Sequence, residues 1–286
     1  MNILLTGAGG FIGHNITNYL LNLGCKVTGI SRRQHLEIVH KNFNNIILDL
    51  NNEFSLSDKF DLIIHCAAIL PAYCPDDILL FNQNLQTTLN VFKFASAANI
   101  TRIINMSSMS VFGEIYEKVV TENTPINHQD TYGQSKYVGE FIANNWSKNG
   151  KNSSVSIRLP GIVGKGGANN FICKTNSLIA NDLPITAVNP NALFNNIVHT
   201  NQLSEFIITL FQTIKKGHEH LTIGSTDPLK IHEILERIYL QHQKKPKITW
   251  LDSKDKSFQI SYENAKNLGF RPLRVVDSLD LYLNNP

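Results

Sequence analysis

No stretch of this sequence approaches the roughly 18 consecutive apolar residues that a membrane-spanning helix needs, so no membrane association is expected. Cysteine is scarce: Cys25, Cys66, Cys74 and Cys173 lack the paired spacing of a zinc or redox site, and no metal is expected. Residues 1 to 6 read as a strand and not as an export signal, which makes the cytoplasm the expected location and keeps the thiols reduced. An excess of one charge is missing too. The net charge is only +3 and the basic residues are dispersed, which argues against nucleic acid as a partner while suiting an anionic small molecule. Internal repeats and low-complexity linkers are absent, and the abundance of asparagine reads as composition bias. The 286 residues suffice for one large core plus a smaller lobe.

What is present begins at Asn2-Ile-Leu-Leu-Thr6, a short buried strand that runs into Gly7-Ala-Gly-Gly10-Phe-Ile-Gly13 and then an amphipathic helix through Ile16, Tyr19, Leu20 and Leu23. A glycine-rich turn between strand and helix lets backbone approach a pyrophosphate, whose charge sits on the helix N-terminus. Gly7 permits the tight turn, Gly10 leaves room for phosphates, and Gly13 allows close helix-to-strand packing. A purely structural turn is the competing reading.

Short apolar segments follow at Lys26 to Ile30, Ile46 to Leu48, Leu62 to His65 and Arg102 to Met106, with a long helix over Ile78 to Ala98. This alternation predicts an α/β fold, a doubly wound parallel sheet whose ligands bind at the carboxyl ends of the strands. Asp49, Ala67-Ala68 and Ser107-Ser108 fall at those ends. Residues 1 to 160 are expected to form the dinucleotide domain and 161 to 286 mainly a smaller α/β substrate lobe. Within the latter, 195 to 225 return to the first domain, with Val198 to Ile214 and His220 to Ile223 rejoining the sheet.

Tyr132 and Lys136, in Thr131-Tyr-Gly-Gln-Ser-Lys136, are spaced to share one helix face. A cation so placed is expected to lower the phenol's pKa and fit it for acid/base work on a carbonyl or alcohol. An ordinary solvated face accommodates the same spacing.

Together these segments resemble an extended short-chain dehydrogenase/reductase, of the branch containing nucleotide-sugar epimerases, dehydratases and reductases. The resemblance runs through Thr6 to Gly13, Asp49-Leu50, His65-Cys-Ala-Ala68, Asn84, Ser107 to Gly113, Tyr132 to Lys136 and Arg158-Leu-Pro-Gly-Ile-Val-Gly164. It continues in Leu221-Thr-Ile-Gly224 and Leu268-Gly-Phe-Arg-Pro272. It implies that Ser108 hydrogen-bonds the reacting oxygen, Tyr132 exchanges its proton, and Lys136 holds the nicotinamide ribose while lowering the Tyr132 pKa. Ser107 is the less favoured serine. Gly7, Gly10, Phe11, Ile12, Gly13, Asp49, Leu50, Ala67 and Ala68 would hold the dinucleotide, with Asp49 on the adenine amino group. Asn84 either orders the long helix against the site or is a buried structural amide. A homodimer through Ile78 to Ala98 and the Tyr132 helix is a further implication.

Where relatives using NAD place a ribose-binding aspartate, this chain has Ser31-Arg32-Arg33. Without the carboxylate a 2'-phosphate is not repelled, and a guanidinium can bind it, so NADP(H) is the expected cofactor with NAD(H) the alternative. The dehydratases' Thr-Asp-Glu is Ser108-Met109-Ser110 here, which removes their acid and base. Reduction of a 4-keto group on a nucleotide-activated 6-deoxyhexose is therefore the expected reaction. An NAD-retaining 4-epimerase is the first alternative, and a non-catalytic NADP(H)-binding sensor or scaffold the second. In Asn195-Asn-Ile-Val-His199-Thr-Asn-Gln202, Asn195 stands where many relatives carry a diphosphate-binding arginine. Lys165, Lys174, Arg271 and Arg274 are candidate replacements, His199 reads as a packing or capping residue and not a catalytic base, and Asn169, Asn170 and Phe171 are candidates for the substrate pocket.

Overall fold

The computed structural model describes residues 1–32, 38–253 and 257–285. Arg33 lies outside the described residues. Seven parallel strands form the central sheet: β1 (Asn2–Thr6), β2 (Lys26–Ser31), β3 (Phe43–Ile47), β4 (Leu62–His65), β5 (Arg102–Ser108), β7 (Ser153–Leu159) and β12 (Gly217–Thr222). Their order is β12-β7-β5-β4-β1-β2-β3. This is the doubly wound α/β architecture read from the sequence.

Alternation along the strands explains the two-sided core. Ile3 and Leu5 of β1 join Ile64, Ile104, Ile16 and Leu20 under α1 (Phe11–Asn22) and α5 (Thr200–Thr213), whereas Leu4 faces the other way. On that second face Leu4, Ile63 and Ile103 meet Val91, Phe92 and Ala143 from α2 (Asp77–Ala97) and α3 (Thr131–Ser147). Both α2 and α3 start on aspartate caps: Asp76 accepts from the Leu79 amide and Asp130 from the Gly133 amide.

Two short strands, β6 (Val119–Val120) and β15 (Gln259–Ile260), pair in parallel beside the sheet. Later elements build a third apolar cluster. It draws on β8 (Gly161–Val163), α4 (Phe171–Ala180), β9 (Ile185–Val188), β10 (Leu193–Phe194), β11 (Ile197–His199), β13 (Leu229–Lys230), α6 (Ile231–Gln241), β14 (Ile248–Leu251) and α8 (Val275–Asn284). The short α7 (Glu263–Asn267) contributes Ala265 to the first cluster.

The expected return of 195–225 to the sheet divides. β12 does pair with β7, with Leu221 opposite Ile157. β11 instead pairs with β8 in a separate two-stranded sheet, because β7 already has β5 and β12 on its two edges. α5 covers α1 without extending the sheet. The third strand also starts earlier than its apolar residues suggest, at Phe43, so Asp49 stands two residues beyond its end.

Candidate active site

A cavity of about 1380 Å³ opens at the carboxyl ends of the central strands. Its volume exceeds the several hundred Å³ usual for one small ligand, which suits a dinucleotide together with a second molecule.

The first turn forms one wall. Gly7 has φ +74°, a left-handed conformation, and its amide donates to the Ile30 carbonyl at 2.9 Å. α1 begins at Phe11 with no side-chain cap on Gly10, leaving its first amides available to an anion. Gly7, Gly10, Phe11 and Ile12 line the cavity, but Gly13 does not. Gly13 is buried one turn into the helix, where a Cβ would collide with the Gly7 carbonyl oxygen, so its part is packing alone.

Ser31, Arg32, Asp49, Leu50, Ala67 and Ala68 line the cavity as well. Arg32 is exposed, and the Ser31 hydroxyl donates to Asn45 Oδ1 at 3.2 Å. Asp49 accepts from both the backbone and side-chain nitrogens of Asn51, at 3.0 and 2.9 Å.

Ser108 ends β5 and lines the cavity together with Tyr132, the second residue of α3. The two serines part company at this edge. Ser107 Oγ is committed to Glu140 Oε1 at 2.6 Å, whereas Ser108 Oγ bonds to Ser110, accepting from its amide and donating to its hydroxyl, both at 3.1 Å. Gly133 permits this juxtaposition, since a Cβ there would run into the Ser110 carbonyl oxygen.

Lys136 departs from expectation. It is buried behind Tyr132, outside the cavity lining, and its Nζ donates to the Met106 carbonyl at 2.8 Å. Burial drives its proton affinity down to about 8, against the opposing pull of Cys66 and Glu140. The Tyr132 phenol is not lowered; enclosure, and then the Asp130 carboxylate, push it upward. Four-residue spacing brought the two side chains onto one face, but desolvation outweighs the cation.

Behind this pair, His65 is fully buried. Thr88 Oγ1 donates to the Asn84 carbonyl, so His65 Nε2 donates to Thr88 at 3.2 Å and Nδ1 accepts from Thr6 Oγ1 at 2.7 Å. Burial, and after it Lys136, hold this imidazole down to about 3. Asn84, also buried, accepts from the Ile69 amide at 2.7 Å and donates to the Ile69 carbonyl at 3.0 Å and Ser135 Oγ at 3.3 Å. It thereby ties the loop after β4 to both α2 and α3.

Asn169, Asn170 and Phe171 line the far wall. Asn170 caps α4, accepting from the Cys173 amide, and donates to the Ile162 carbonyl, so its polar atoms are occupied by the fold. Asn169 donates to Tyr73 Oη at 3.0 Å, and Phe171 packs against Phe194. Tyr73, Gln83 and Phe194 are lining residues that no sequence pattern singled out, and Asn196 joins them from the run beginning at Asn195, where the sequence pointed to its neighbour instead.

Asn195 lies outside this cavity. It is buried where β15 meets the segment after β12, donating to the Ser225 and Ile260 carbonyls and accepting from the Ile260 amide at 2.8 Å. Of the four candidate cations Lys165 alone lines the cavity, while Arg274 pairs with Asp277 at 2.8 Å. His199 caps α5, its Nδ1 accepting from the Asn201 amide. Among the described residues no cluster of His, Cys, Asp or Glu could hold a metal ion, and no helix is long and apolar enough to cross a membrane.

A parallel sheet whose glycine-rich first turn opens into a cavity at the strand ends defines a Rossmann-type α/β protein. The chain belongs to the NAD dependent epimerase/dehydratase family, whose profile matches residues 3–224, and is an enzyme of that family. It is 22% identical to the D-erythronate dehydrogenase of Haemophilus influenzae, over 83% of this chain and 85% of that one. To the UDP-glucose 4-epimerase of Caenorhabditis elegans it is 27% identical, over 83% and 82% of the two chains. The structure of UDP-glucuronic acid 4-epimerase from Bacillus cereus in complex with NAD shares the fold, with a TM-score of 0.84 at 22% identity over 99% of this chain and 96% of that one. The family resemblance read in the sequence is borne out.

Proposed function

We propose that this enzyme is an NADPH-dependent reductase of a 4-keto group on a nucleotide-activated hexose, a 6-deoxyhexose being the preferred form. The observation that carries this reading is that Ser108 and Tyr132 line one cavity with the glycine turn. A phenol kept in its acid form is suited to give a proton, which ketone reduction requires.

The residues present fit a dinucleotide. Gly7 approaches Ala67 so closely that a Cβ would lie 2.7 Å from its amide nitrogen, which leaves a smooth cradle beside the bare N-terminus of α1. Bound there, a reduced nicotinamide supplies hydride to the carbonyl carbon. Ser108 Oγ donates a hydrogen bond to the carbonyl oxygen, and Tyr132 passes its phenolic proton to that oxygen as the alcohol forms. Lys136 lies behind Tyr132 as a buried cation bonded to the Met106 carbonyl, and reaching the ribose requires it to leave that bond. Arg32 supports NADP(H) over NAD(H), because an exposed guanidinium on the cavity wall offers a 2'-phosphate a charge-assisted bond. Lys165 is the corresponding cation for an anionic group of the substrate. Ile78, Tyr137 and Phe141, exposed apolar residues of α2 and α3, support a homodimer through these helices, and the cytoplasm is the proposed location.

The second reading, a 4-epimerase that retains NAD, is favoured by the 4-epimerases among the relatives. The two are separated by incubating purified protein with nucleotide 4-keto sugars and NADPH or NADH, and with nucleotide hexoses and NAD. Net NADPH oxidation supports reduction. Interconversion of hexose epimers without net change in the nicotinamide establishes epimerisation and overturns the proposal.

A further inference from the structure

Glu140 is 1% exposed, and its carboxylate accepts from three donors on two strands: Ser107 Oγ of β5 at 2.6 Å, and Arg158 Nε and Nη2 of β7 at 3.0 and 2.8 Å. Arg158 also donates from Nη1 to the Glu122 carbonyl at 3.0 Å, with the guanidinium 4.7 Å from the Phe112 ring centre. A buried ion pair is weak evidence for stability, since desolvation offsets much of the attraction. Its placement is more telling. Glu140 follows Lys136 by one helical turn and Tyr132 by two, on one face of α3, and Ser107 immediately precedes Ser108.

We propose that Glu140 is a positioning residue of the active site: through Ser107 and Arg158 it fixes α3 against the ends of β5 and β7, setting Tyr132 against Ser108, and its carboxylate is the standing counter-charge for the buried Lys136 ammonium. The inference rests on the roles assigned above to Ser108, Tyr132 and Lys136.

The groups facing Lys136 are few. His65 and Cys66 approach from β4 and its end, the Met106 carbonyl from β5, and Tyr132 and Glu140 from its own helix. His65 is neutral, and burial pushes the Cys66 thiol up to about 12, so neither supplies a charge near neutrality. Cys66 opposes the desolvation of Lys136 only as a thiolate, so near neutrality Glu140, one turn along the same helix face, is the anion that does so. Around Glu140 itself stand Arg158, Ser107 and, from β12, His220. The His220 Nδ1 lies 3.7 Å from Oε2 without a hydrogen bond, and the His218 ring lies beyond it. Burial lowers the proton affinity of His220, so at neutral pH Arg158 is the cation bound to Glu140.

The test is Glu140→Gln, which keeps the shape and removes the charge. In 13C-lysine-labelled protein the Cε resonance of Lys136, assigned by its loss in Lys136→Met, reports ammonium titration directly. Its midpoint is expected to fall by about one pH unit or more in Glu140→Gln, with the alkaline limb of kcat moving down in step. Where Glu140→Gln does not fold, the double variant Glu140→Gln, Arg158→Met removes both buried charges and is measured in its place. An unchanged Lys136 midpoint in either folded variant overturns the counter-charge role. Ser107→Ala removes one anchor and leaves the charge: kcat is expected to fall by about threefold or more at an unchanged midpoint, and wild-type kcat overturns the positioning role. The resonance is read without substrate, so failure of the proposed reaction is distinguishable from failure of this inference.

Discussion

Lys136 directs its ammonium onto the Met106 carbonyl oxygen, 2.8 Å away, while standing 5.9 Å from the centre of the Tyr132 ring. The cation that four-residue spacing places beside the phenol is thus anchored to the sheet. Enclosure first, and then the Asp130 carboxylate, favour the protonated phenol at Tyr132. That state is the one the proposed reduction starts from.

Tyr132→Phe removes the proton donor without changing the ring. In the reductive direction kcat is expected to fall at least ~100-fold, while NADPH affinity, followed by nicotinamide fluorescence, stays within a few-fold. Full turnover in this variant would refute the assignment.

Arg32→Ala tests cofactor choice. Loss of a charge-assisted bond to a 2'-phosphate raises KM for NADPH by about tenfold, the exposed position holding the effect to the low end, and leaves KM for NADH nearly unchanged. Equal changes for the two cofactors contradict the NADP reading.

His65 gives a pH dependence of stability. Its folded-state value, about 3, lies below the ordinary 6.5, so between these limits the unfolded chain binds the extra proton and stability falls as the medium is acidified. Urea denaturation at pH 7, 5 and 4 is expected to show a steeper decline for wild type than for His65→Gln, which has no titrating ring. Parallel declines would show that other groups govern acid unfolding.

Gly133→Ala forces a methyl against the Ser110 carbonyl oxygen. Overpacking of this kind costs about 1 to 3 kcal/mol, and because the strain falls between Tyr132 and Ser108, kcat is expected to drop out of proportion to the change in Tm. Thermal unfolding and steady-state kinetics on one preparation check both halves. A loss of Tm with unaltered kcat would dissociate this contact from the chemistry.

Much of this site is written locally. The turn from Gly7 to Gly13 follows from backbone sterics within a dozen residues, and the short apolar segments with the long helix over Ile78 to Ala98 announce the sheet and its cover. Ser108 and Tyr132 could be named because each stands at the end of a recognisable element. Asn195 could not be placed in the same way. Its sequence neighbours suggest a ligand-facing position, yet its amide satisfies the backbone of Ser225 and Ile260, groups that only the folded chain brings within reach. Glu140 was equally silent, one carboxylate on a helix until Ser107 and Arg158 arrive from two strands.

By itself the sequence determined the parallel α/β architecture and the glycine turn, because periodicity and turn sterics are properties of short segments; its choice of Ser108 and Tyr132 as proton-exchanging groups came through the family resemblance and stands as a proposal. The tertiary structure alone decided which of those groups are charged and what each touches. The order β7-β5-β4-β1 sets distant residues side by side in a medium where desolvation outweighs nearest-neighbour charge. Enclosure raised Tyr132 and lowered Lys136, against what their spacing along one helix face suggests.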